Sequence, residues 1–144
     1  MIQVFIQSIA GSCERRIYDE ETLVYQRTRH TVLPHPYPYG FIPGTLAEDG
    51  DCLDCFVITR RSLEFGARVE CEPLGLLEMK ENGDRDHKVL AALKGEMVEV
   101  NDALLGELSV FLQGIFSQYP ESRLEIGGIR SKEDTVRMMR AAGL

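Results

Sequence analysis

The 144-residue chain has no excess of basic residues. It contains 16 lysines and arginines against 23 acidic residues, which gives a formal net charge of −7. A protein that binds the nucleic-acid backbone regardless of sequence needs clustered lysines and arginines to displace counterions from the phosphates. The charge balance therefore argues against that class of nucleic-acid-binding protein and suits a protein that binds metal ions.

Long apolar segments are also missing. No window approaches the ~18 consecutive apolar residues of a membrane-spanning helix. The sequence MIQVFIQSIAGSCERR at residues 1–16 lacks the basic region with which a signal peptide begins. We therefore expect a cytoplasmic protein that has no membrane partner.

A disulfide or zinc framework has little support. Without an export signal, the cysteines are expected to be free thiols. Cys52 and Cys55 form a C-x-x-C pair, but neither Cys13, Cys71 nor the three histidines provide a second, regularly spaced ligand pair for zinc. A redox pair would lie where a strand enters a helix, whereas the residues at 56–58 continue as a strand. We interpret the cysteines as ordinary buried or half-buried residues.

The chain does have enough apolar residues for one core. Hydrophobic residues make up 44% of it, and its length is within the usual size of one domain. It shows no internal repeat, low-complexity run or linker. We therefore predict a single domain that spans residues 1–144.

Short segments rich in β-branched and aromatic residues predict several strands. Their ranges are 2–9, 22–27, 55–59, 68–79 and 87–93, with a turn-rich link between the first two. Four prolines within 34–43 remove backbone donors and exclude a helix there. Asn82-Gly83 is a hairpin-turn sequence, so the strands in the middle of the chain are expected to form a meander.

The apolar period changes to that of a helix in the last third of the chain. Leucines and phenylalanines after Asn101 follow the i, i+3, i+4 spacing of an amphipathic helix, which Asn101 or Asp102 can cap and Tyr119-Pro120 ends. A second helix is predicted from Ser131 to Gly143. Strands first and helices last predict a sheet or small barrel with helices packed outside it.

Two acidic segments are candidates for a site. Residues 48–54 read EDGDCLD and enter an apolar strand, and residues 81–86 read ENGDRD and are followed by His87 and Lys88. A lone Asp-Gly-Asp is more often a solvated turn. Two carboxylate loops at the ends of neighbouring strands, however, could face one another and hold hard cations, which prefer oxygen ligands.

The spacing does not fit an EF-hand, because counting from Asp49 places Leu53 at a ligand position and Asp54 at the required glycine. Several carboxylates without a protein cage are instead typical of Mg²⁺, whose coordination is often completed by substrate phosphates. Cationic residues that could contact phosphate oxygens lie in or beside the predicted strands: Arg15, Arg16, Arg27, Arg29 and Lys88.

Four segments together resemble the soluble family I inorganic pyrophosphatases. They are YGFIPGT (39–45), DGDCLD (49–54), GLLEM (75–79) and DHK (86–88), and the likeness extends over about residues 2–130. The resemblance implies an α+β, mainly β fold, in which a small five-stranded closed barrel of OB-like type has extra strands and two C-terminal helices outside it. It also implies Mg²⁺ as cofactor, pyrophosphate as substrate, and a homo-oligomer, commonly a hexamer.

The same resemblance implies roles for the acidic residues. Asp49, Asp54 and Asp86 would ligate metal, with Asp54 bridging two ions. Glu81 would help to bind a further ion that arrives with the substrate. Asp51 would orient or deprotonate the water held between the ions. The two ions would lower the pKa of that water.

It further implies phosphate contacts. Arg15, Arg27 and Lys88 would hold phosphate. Arg27 and Lys88 would also take part in catalysis. Tyr119 would donate a hydrogen bond to phosphate, and Tyr39 would support the site. The implied reaction is hydrolysis of inorganic pyrophosphate to two orthophosphates.

Several positions depart from the family pattern. Gln7 and Ile17 stand where glutamates are usual, His35 replaces a tyrosine, and Pro120 replaces a lysine. A lysine is also replaced by Arg15, which keeps the charge but changes the geometry. Two alternatives therefore stay open: a weakened or inactive relative that binds divalent metal and a phosphate ligand, and a hydrolase of an organic diphosphate.

Overall fold

Nine strands and two helices follow one another in the computed structural model, which describes residues 1–144. The strands are β1 (Ile2–Ser8), β2 (Glu14–Tyr18), β3 (Tyr25–His30), β4 (Tyr39–Ile42), β5 (Leu53–Val57), β6 (Arg68–Glu81), β7 (Asp84–Arg85), β8 (Lys88–Leu93) and β9 (Leu124–Arg130). The helices are α1 (Asp102–Phe116), which precedes β9, and α2 (Lys132–Ala141), which follows it.

Five strands pair into a closed ring. β1 pairs with β4, β4 with β5, β5 with β8, β8 with β6, and β6 returns to β1. This ring, with two helices packed against it, confirms the predicted mainly β fold of OB-like type. Every pair in the ring is antiparallel except β5–β8, which is parallel. The expected simple meander was therefore wrong, because β5 pairs with a strand that follows the β6–β7 hairpin.

The interior of the ring and its outer face have separate cores. The inner cluster takes buried residues from all five ring strands and is closed by Met139 of α2. The outer cluster lies between the ring and α1 and includes Leu108 and Phe111. Successive residues of a strand point to opposite faces, and β5 accordingly contributes Cys55 to the inner cluster and Phe56 to the outer one.

Close backbone approach helps the ring to close. A Cβ atom at Gly40 of β4 would lie 1.7 Å from the carbonyl oxygen of Phe5 in β1, so only glycine fits there. Tyr39 and Phe41 on either side of this glycine are both buried. The contact fixes the start of β4 against β1 and thereby fixes the place of Tyr39.

Both helices begin at the predicted caps. The side chain of Asn101 accepts a hydrogen bond from the backbone N–H of Leu104 at 3.0 Å. That of Ser131 accepts one from Asp134 at 3.1 Å. These bonds satisfy backbone donors that have no partner within the helix. Neither helix is long and apolar enough to cross a membrane.

Four strands, β2, β4, β7 and β9, were missed, and β3 was misplaced. β2 was expected to be a turn-rich link, but it forms a separate two-stranded hairpin with β3, which begins later than the predicted 22–27. β9 lies between the helices and pairs with β6, so the expected order of strands first and helices last was wrong. β2 and β3 are rich in charged residues, and β9 has two glycines, so neither segment shows a clear apolar alternation.

Candidate metal and phosphate site

One cavity of about 780 Å³ brings together most of the predicted site residues. Those that line it are Arg15, Tyr39, Asp49, Asp51, Asp54, Glu81, Asp86, Lys88 and Tyr119. They come from β2, β4, β5, β6 and β8, from the loops beside these strands, and from the segment between α1 and β9. Segments that are far apart in the sequence therefore meet at one end of the ring.

The centre of the cavity is a lysine between two carboxylates. Lys88 begins β8 and is the register partner of Asp54 in the parallel β5–β8 pair. Its Nζ donates to Asp54 Oδ2 at 2.6 Å and to Asp86 Oδ1 at 3.0 Å. Charge-assisted hydrogen bonds of this length are strong. The strand register and the short turn before β8 together fix all three side chains.

Lys88 is charged even though it is only 5% exposed. Burial lowers the pKa of Lys88, but attraction to the carboxylates of Asp54 and Asp86 outweighs burial and raises it. Burial also raises the pKa of Tyr39, as does the nearby Asp54, so the Tyr39 hydroxyl is neutral at physiological pH. The single ammonium charge of Lys88 therefore offsets only part of the negative charge of the two carboxylates.

Hydrogen bonds from backbone N–H groups to side chains hold the acidic loop before β5 in place. The N–H of Asp51 donates to Asp49 Oδ1 at 2.9 Å, and the N–H of Leu53 donates to the hydroxyl of Thr45 at 2.9 Å. Gly50 has a φ of +90° and allows the tight turn between them. Asp49 and Asp51 remain exposed, so water and ions have access to both carboxylates.

Arg15 contributes a donor without a partner. Its guanidinium lies over the ring of Tyr39, 5.3 Å from the ring centroid. Burial lowers the pKa of Arg15, but attraction to the nearby carboxylates of Asp54, Asp86 and Glu20 outweighs burial and raises it. The Nε atom is buried and has no hydrogen-bond partner in the protein. Buried donors are nearly always paired, so this N–H is an exception that no group of the protein satisfies.

Arg27 is the one predicted site residue that the cavity does not include. It is exposed on β3, whereas Arg29, two residues further along the same strand, lines the cavity. Arg29 is the register partner of Arg15, so both arginines lie at the same level of the hairpin. Arg29 was among the candidate cations but had no role assigned to it.

Sequence reasoning also missed much of the cavity wall. The additional polar residues are His30, Thr31, Gln118 and Ser122, and the apolar ones include Phe111, Leu112, Ile115 and Phe116 of α1. The helical pattern of α1 was recognisable, but nothing in it distinguished the side that meets the cavity from the side that packs on the ring.

The positions that depart from the family pattern are distributed unevenly. His35 is buried and lines the cavity, whereas Ile17 and Pro120 do not line it. Gln7 is buried, and its Oε1 has no partner in the protein. The inner acidic set is therefore assembled in this chain, and most of the departures lie away from it.

The donors in the cavity suit a hard divalent cation. Asp49, Asp54, Glu81 and Asp86 provide oxygen ligands only, which Mg²⁺ prefers. No three histidine, cysteine or acidic side chains converge as a ready cage for an ion. Mg²⁺ commonly uses one or two carboxylates and completes its shell with water and substrate phosphates. The residues present fit Mg²⁺ in this open mode.

The burial of His35 predicts that acid destabilises the fold. Burial lowers the pKa of His35, the carbonyl of Ser12 that accepts from its Nδ1 opposes this, and the charge of Arg15 lowers the pKa further. The unfolded chain, whose histidines have a pKa of about 6.5, therefore takes up a proton before the folded protein does as pH falls. We expect the free energy of unfolding to decrease as pH falls below that value, and His35→Gln to reduce the decrease.

Urea unfolding at about pH 7, 6 and 5 measures this effect, since these values bracket the ordinary histidine pKa. His30→Gln is the matched control, because His30 is exposed on β3. The same acid-induced loss in wild type and His35→Gln would show that His35 is not the group responsible.

The comparisons with known proteins show which family the chain resembles. The family model described as inorganic pyrophosphatase matches residues 13–140. An inorganic pyrophosphatase of Nanoarchaeum equitans is 31% identical over 127 residues, which are 83% of this chain and 79% of the relative. One from Sulfolobus acidocaldarius is 41% identical over 96 residues, 65% of this chain. The matched part spans 56% of the Sulfolobus protein and 54% of a Synechocystis relative, so it covers only about half of these proteins.

Solved structures give the same result over nearly the whole chain. The inorganic pyrophosphatase of Thermus thermophilus superposes with a TM-score of 0.87 at 26% identity, covering 97% of this chain and 87% of that one. The one from Coxiella burnetii gives 0.85 at 28% identity, covering 97% and 91%. With the family model matching most of its length, the chain belongs to the inorganic pyrophosphatase family.

Proposed function

We propose that this protein hydrolyses inorganic pyrophosphate to two orthophosphates in a reaction that requires Mg²⁺. The observation that supports this most is the single cavity in which five carboxylates face Lys88 and Arg15. Carboxylates of this number suit divalent cations, and the two basic groups suit the phosphates of the substrate. The relatives are named inorganic pyrophosphatases, which supports inorganic pyrophosphate as the substrate.

Asp49, Asp54 and Asp86 would hold the metal, and Glu81 would help to bind an ion that arrives with the substrate. When bound, Mg²⁺ supplies Lewis-acid polarisation of phosphoryl oxygens and acidifies water. Asp54 and Asp86 are already held in place by Lys88. This preorganisation means that the two carboxylates need little rearrangement when the ion enters.

The basic residues orient the substrate. The guanidinium of Arg15, which lines the cavity, can donate to a phosphoryl oxygen, and Lys88 offers a second positive charge in the cavity. Both charges stabilise the negative charge that develops on the phosphoryl group in the transition state. Tyr119, which is exposed at the cavity wall, would donate a hydrogen bond from its hydroxyl. Arg27 stays a predicted phosphate contact, and Arg29 is the better placed guanidinium.

Asp51 is the proposed general base. Its carboxylate is exposed to the cavity and can accept the proton of an attacking water. The water oxygen forms a bond to one phosphorus while the bond from that phosphorus to the bridging oxygen breaks, and the second orthophosphate leaves with that electron pair. The neutral hydroxyl of Tyr39 supports the site beneath Lys88 and Arg15.

Phosphate release from pyrophosphate tests the proposal directly. We expect release by the purified protein with Mg²⁺ and its loss when EDTA removes the ion. Release that continues unchanged in EDTA would contradict the metal requirement. No release at any Mg²⁺ concentration, with Mg²⁺ still bound in calorimetry, would indicate a binding protein on this scaffold.

A second candidate substrate is an organic diphosphate. The apolar wall formed by Phe111, Leu112, Ile115 and Phe116 gives the cavity a surface that inorganic pyrophosphate does not need. An organic group attached to the diphosphate could pack against it. Comparing kcat/KM for pyrophosphate with that for a nucleoside diphosphate decides between the two, since the organic compound would be the better substrate only if this wall contacts it.

We further propose a cytoplasmic homo-oligomer, with the hexamer as the expected state. Val110 of α1 is 71% exposed, although its neighbours Phe111 and Leu112 are buried. An exposed apolar side chain on a helix is suited to a subunit interface. Gel filtration measures the state, and a monomer at micromolar concentration would contradict the proposal.

A further inference from the structure

Glu20 makes a contact that links two separate parts of the site. It lies between β2 and β3, at the turn of the hairpin, and is half-buried. Its Oε1 accepts a hydrogen bond from the backbone N–H of Cys52 at 3.0 Å, across 32 positions of sequence. The carboxylate forms no salt bridge, although Arg15 is near enough to attract it.

The surroundings of Glu20 are unfavourable for a negative charge. Burial raises the pKa of Glu20, the N–H of Cys52 opposes this, and the charges of Asp51 and Asp54 raise the pKa further. A glutamate in a surface turn can usually rotate into water, where it avoids both the cost of burial and the repulsion from neighbouring carboxylates. Here the side chain instead lies against the acidic loop and accepts from its backbone.

The N–H of Cys52, which donates to Glu20, lies between two proposed site residues of that loop. Cys52 follows Asp51 directly and lies two residues before Asp54, so its peptide group sets the direction of the chain between the proposed base and a proposed metal ligand. The hairpin that provides Glu20 is a separate sheet outside the ring, and it also provides Arg15 and Arg29. The bond thus joins the arginine side of the cavity to the carboxylate side.

We infer that Glu20 is a positioning residue, which holds the acidic loop through its accepted hydrogen bond and so places Asp51 and Asp54 opposite the hairpin arginines. It acts through the acceptor oxygen and not as a metal ligand. Groups that orient metal ligands from outside typically affect metal affinity or activity by about 10- to 100-fold. The kinetic part of this inference rests on the proposed pyrophosphate hydrolysis, whereas the metal-binding part does not.

Two variants separate the acceptor from the charge. Glu20→Gln keeps an Oε1 acceptor and removes the charge, and Glu20→Ala removes both. We expect Glu20→Ala to weaken Mg²⁺ binding in isothermal titration calorimetry about 10-fold and to lower kcat by a similar factor with little change in KM. Glu20→Gln is expected to stay within about threefold of wild type in both measurements, because the amide oxygen accepts the same N–H.

Glu21→Ala is the matched control, since Glu21 is the exposed neighbouring carboxylate and its side chain contacts nothing in the site. It is expected to match wild type. Thermal melting shows whether each variant is folded. If Glu20→Ala is not, Glu20→Asp replaces it, because the shorter side chain draws the acceptor away from Cys52 and is expected to produce the same losses.

Three results would overturn the inference. They are wild-type Mg²⁺ affinity and kcat in Glu20→Ala, a loss of Mg²⁺ affinity and kcat in Glu20→Gln as large as that in Glu20→Ala, and a wild type that binds no Mg²⁺. If wild type binds Mg²⁺ but releases no phosphate, the proposed function fails on its own. The calorimetric series then still decides whether Glu20 positions the acidic loop.

Discussion

Asp54→Asn is expected to lower pyrophosphate turnover about 1000-fold while the protein stays folded. The Asp54 carboxylate lines the cavity and accepts from Lys88. A neutral amide at this position gives up most of the attraction for a divalent cation, whose stabilisation of the transition state is worth several kcal/mol, or about three powers of ten in rate. The amide oxygen can still accept from Lys88, and Asp86 keeps its ion pair, so the local structure has little reason to change.

Steady-state phosphate release at saturating Mg²⁺ measures the loss, and circular dichroism measures the fold. Asp84→Asn is the matched control because it makes the same chemical change on β7, where Asp84 is exposed and outside the cavity. We expect that variant to retain wild-type turnover. An active Asp54→Asn protein would refute the role of Asp54 as a metal ligand.

Lys88→Met is expected to lower the free energy of unfolding in EDTA by about 3 kcal/mol, because breaking a buried ion pair leaves charge without compensation. Here two carboxylates, Asp54 and Asp86, lose the ammonium that lies between them. Their side chains are only 19% and 22% exposed, so water screens their mutual repulsion incompletely. Methionine has a similar length, which limits the contribution of an empty space.

Urea unfolding measures this loss, and Mg²⁺ is expected to restore part of it, because an ion that binds only the folded state stabilises that state by mass action. Lys94→Met is the control. Lys94 follows β8 and pairs with Glu70 at 3.5 Å, but both side chains are more than half exposed, and such pairs contribute at most about 1 kcal/mol. Equal losses of unfolding free energy in Lys88→Met and Lys94→Met would show that the buried Lys88 ion pairs stabilise the fold no more than an exposed pair does.

Local chemistry explains which parts of the fold were predictable. The starts of α1 and α2 followed from Asn101 and Ser131, since a cap depends on residues within a few positions. The register shift of β6 between Pro73 and Gly75 is another local feature, since proline and glycine within a strand often mark a bulge, so it was open to prediction from a short window. The parallel pairing of β5 with β8 was not, because the partner of a strand is decided by long-range packing that no short window contains.

The candidate site, like the fold, was predictable only where local sequence decides the outcome. The motifs indicated the acidic residues and Lys88 by type and order, and the cavity contains all of them. They could not distinguish Arg27 from Arg29, because both lie on one strand with a two-residue spacing and only the placement of the hairpin decides which one reaches the cavity. Glu20 gave no signal, since DEE in a turn is typical of solvated surface.

The register of β5 and β8 also bears on how the protein folds. Asp54 and Lys88 are direct partners although 34 positions separate them in the chain. Pairs this distant form slowly, because the intervening chain must lose its freedom before the contact offers anything in return. The site therefore does not exist in any intermediate whose ring is open. In refolding from urea, we expect any activity to return with the closure of the ring and not with the formation of the helices.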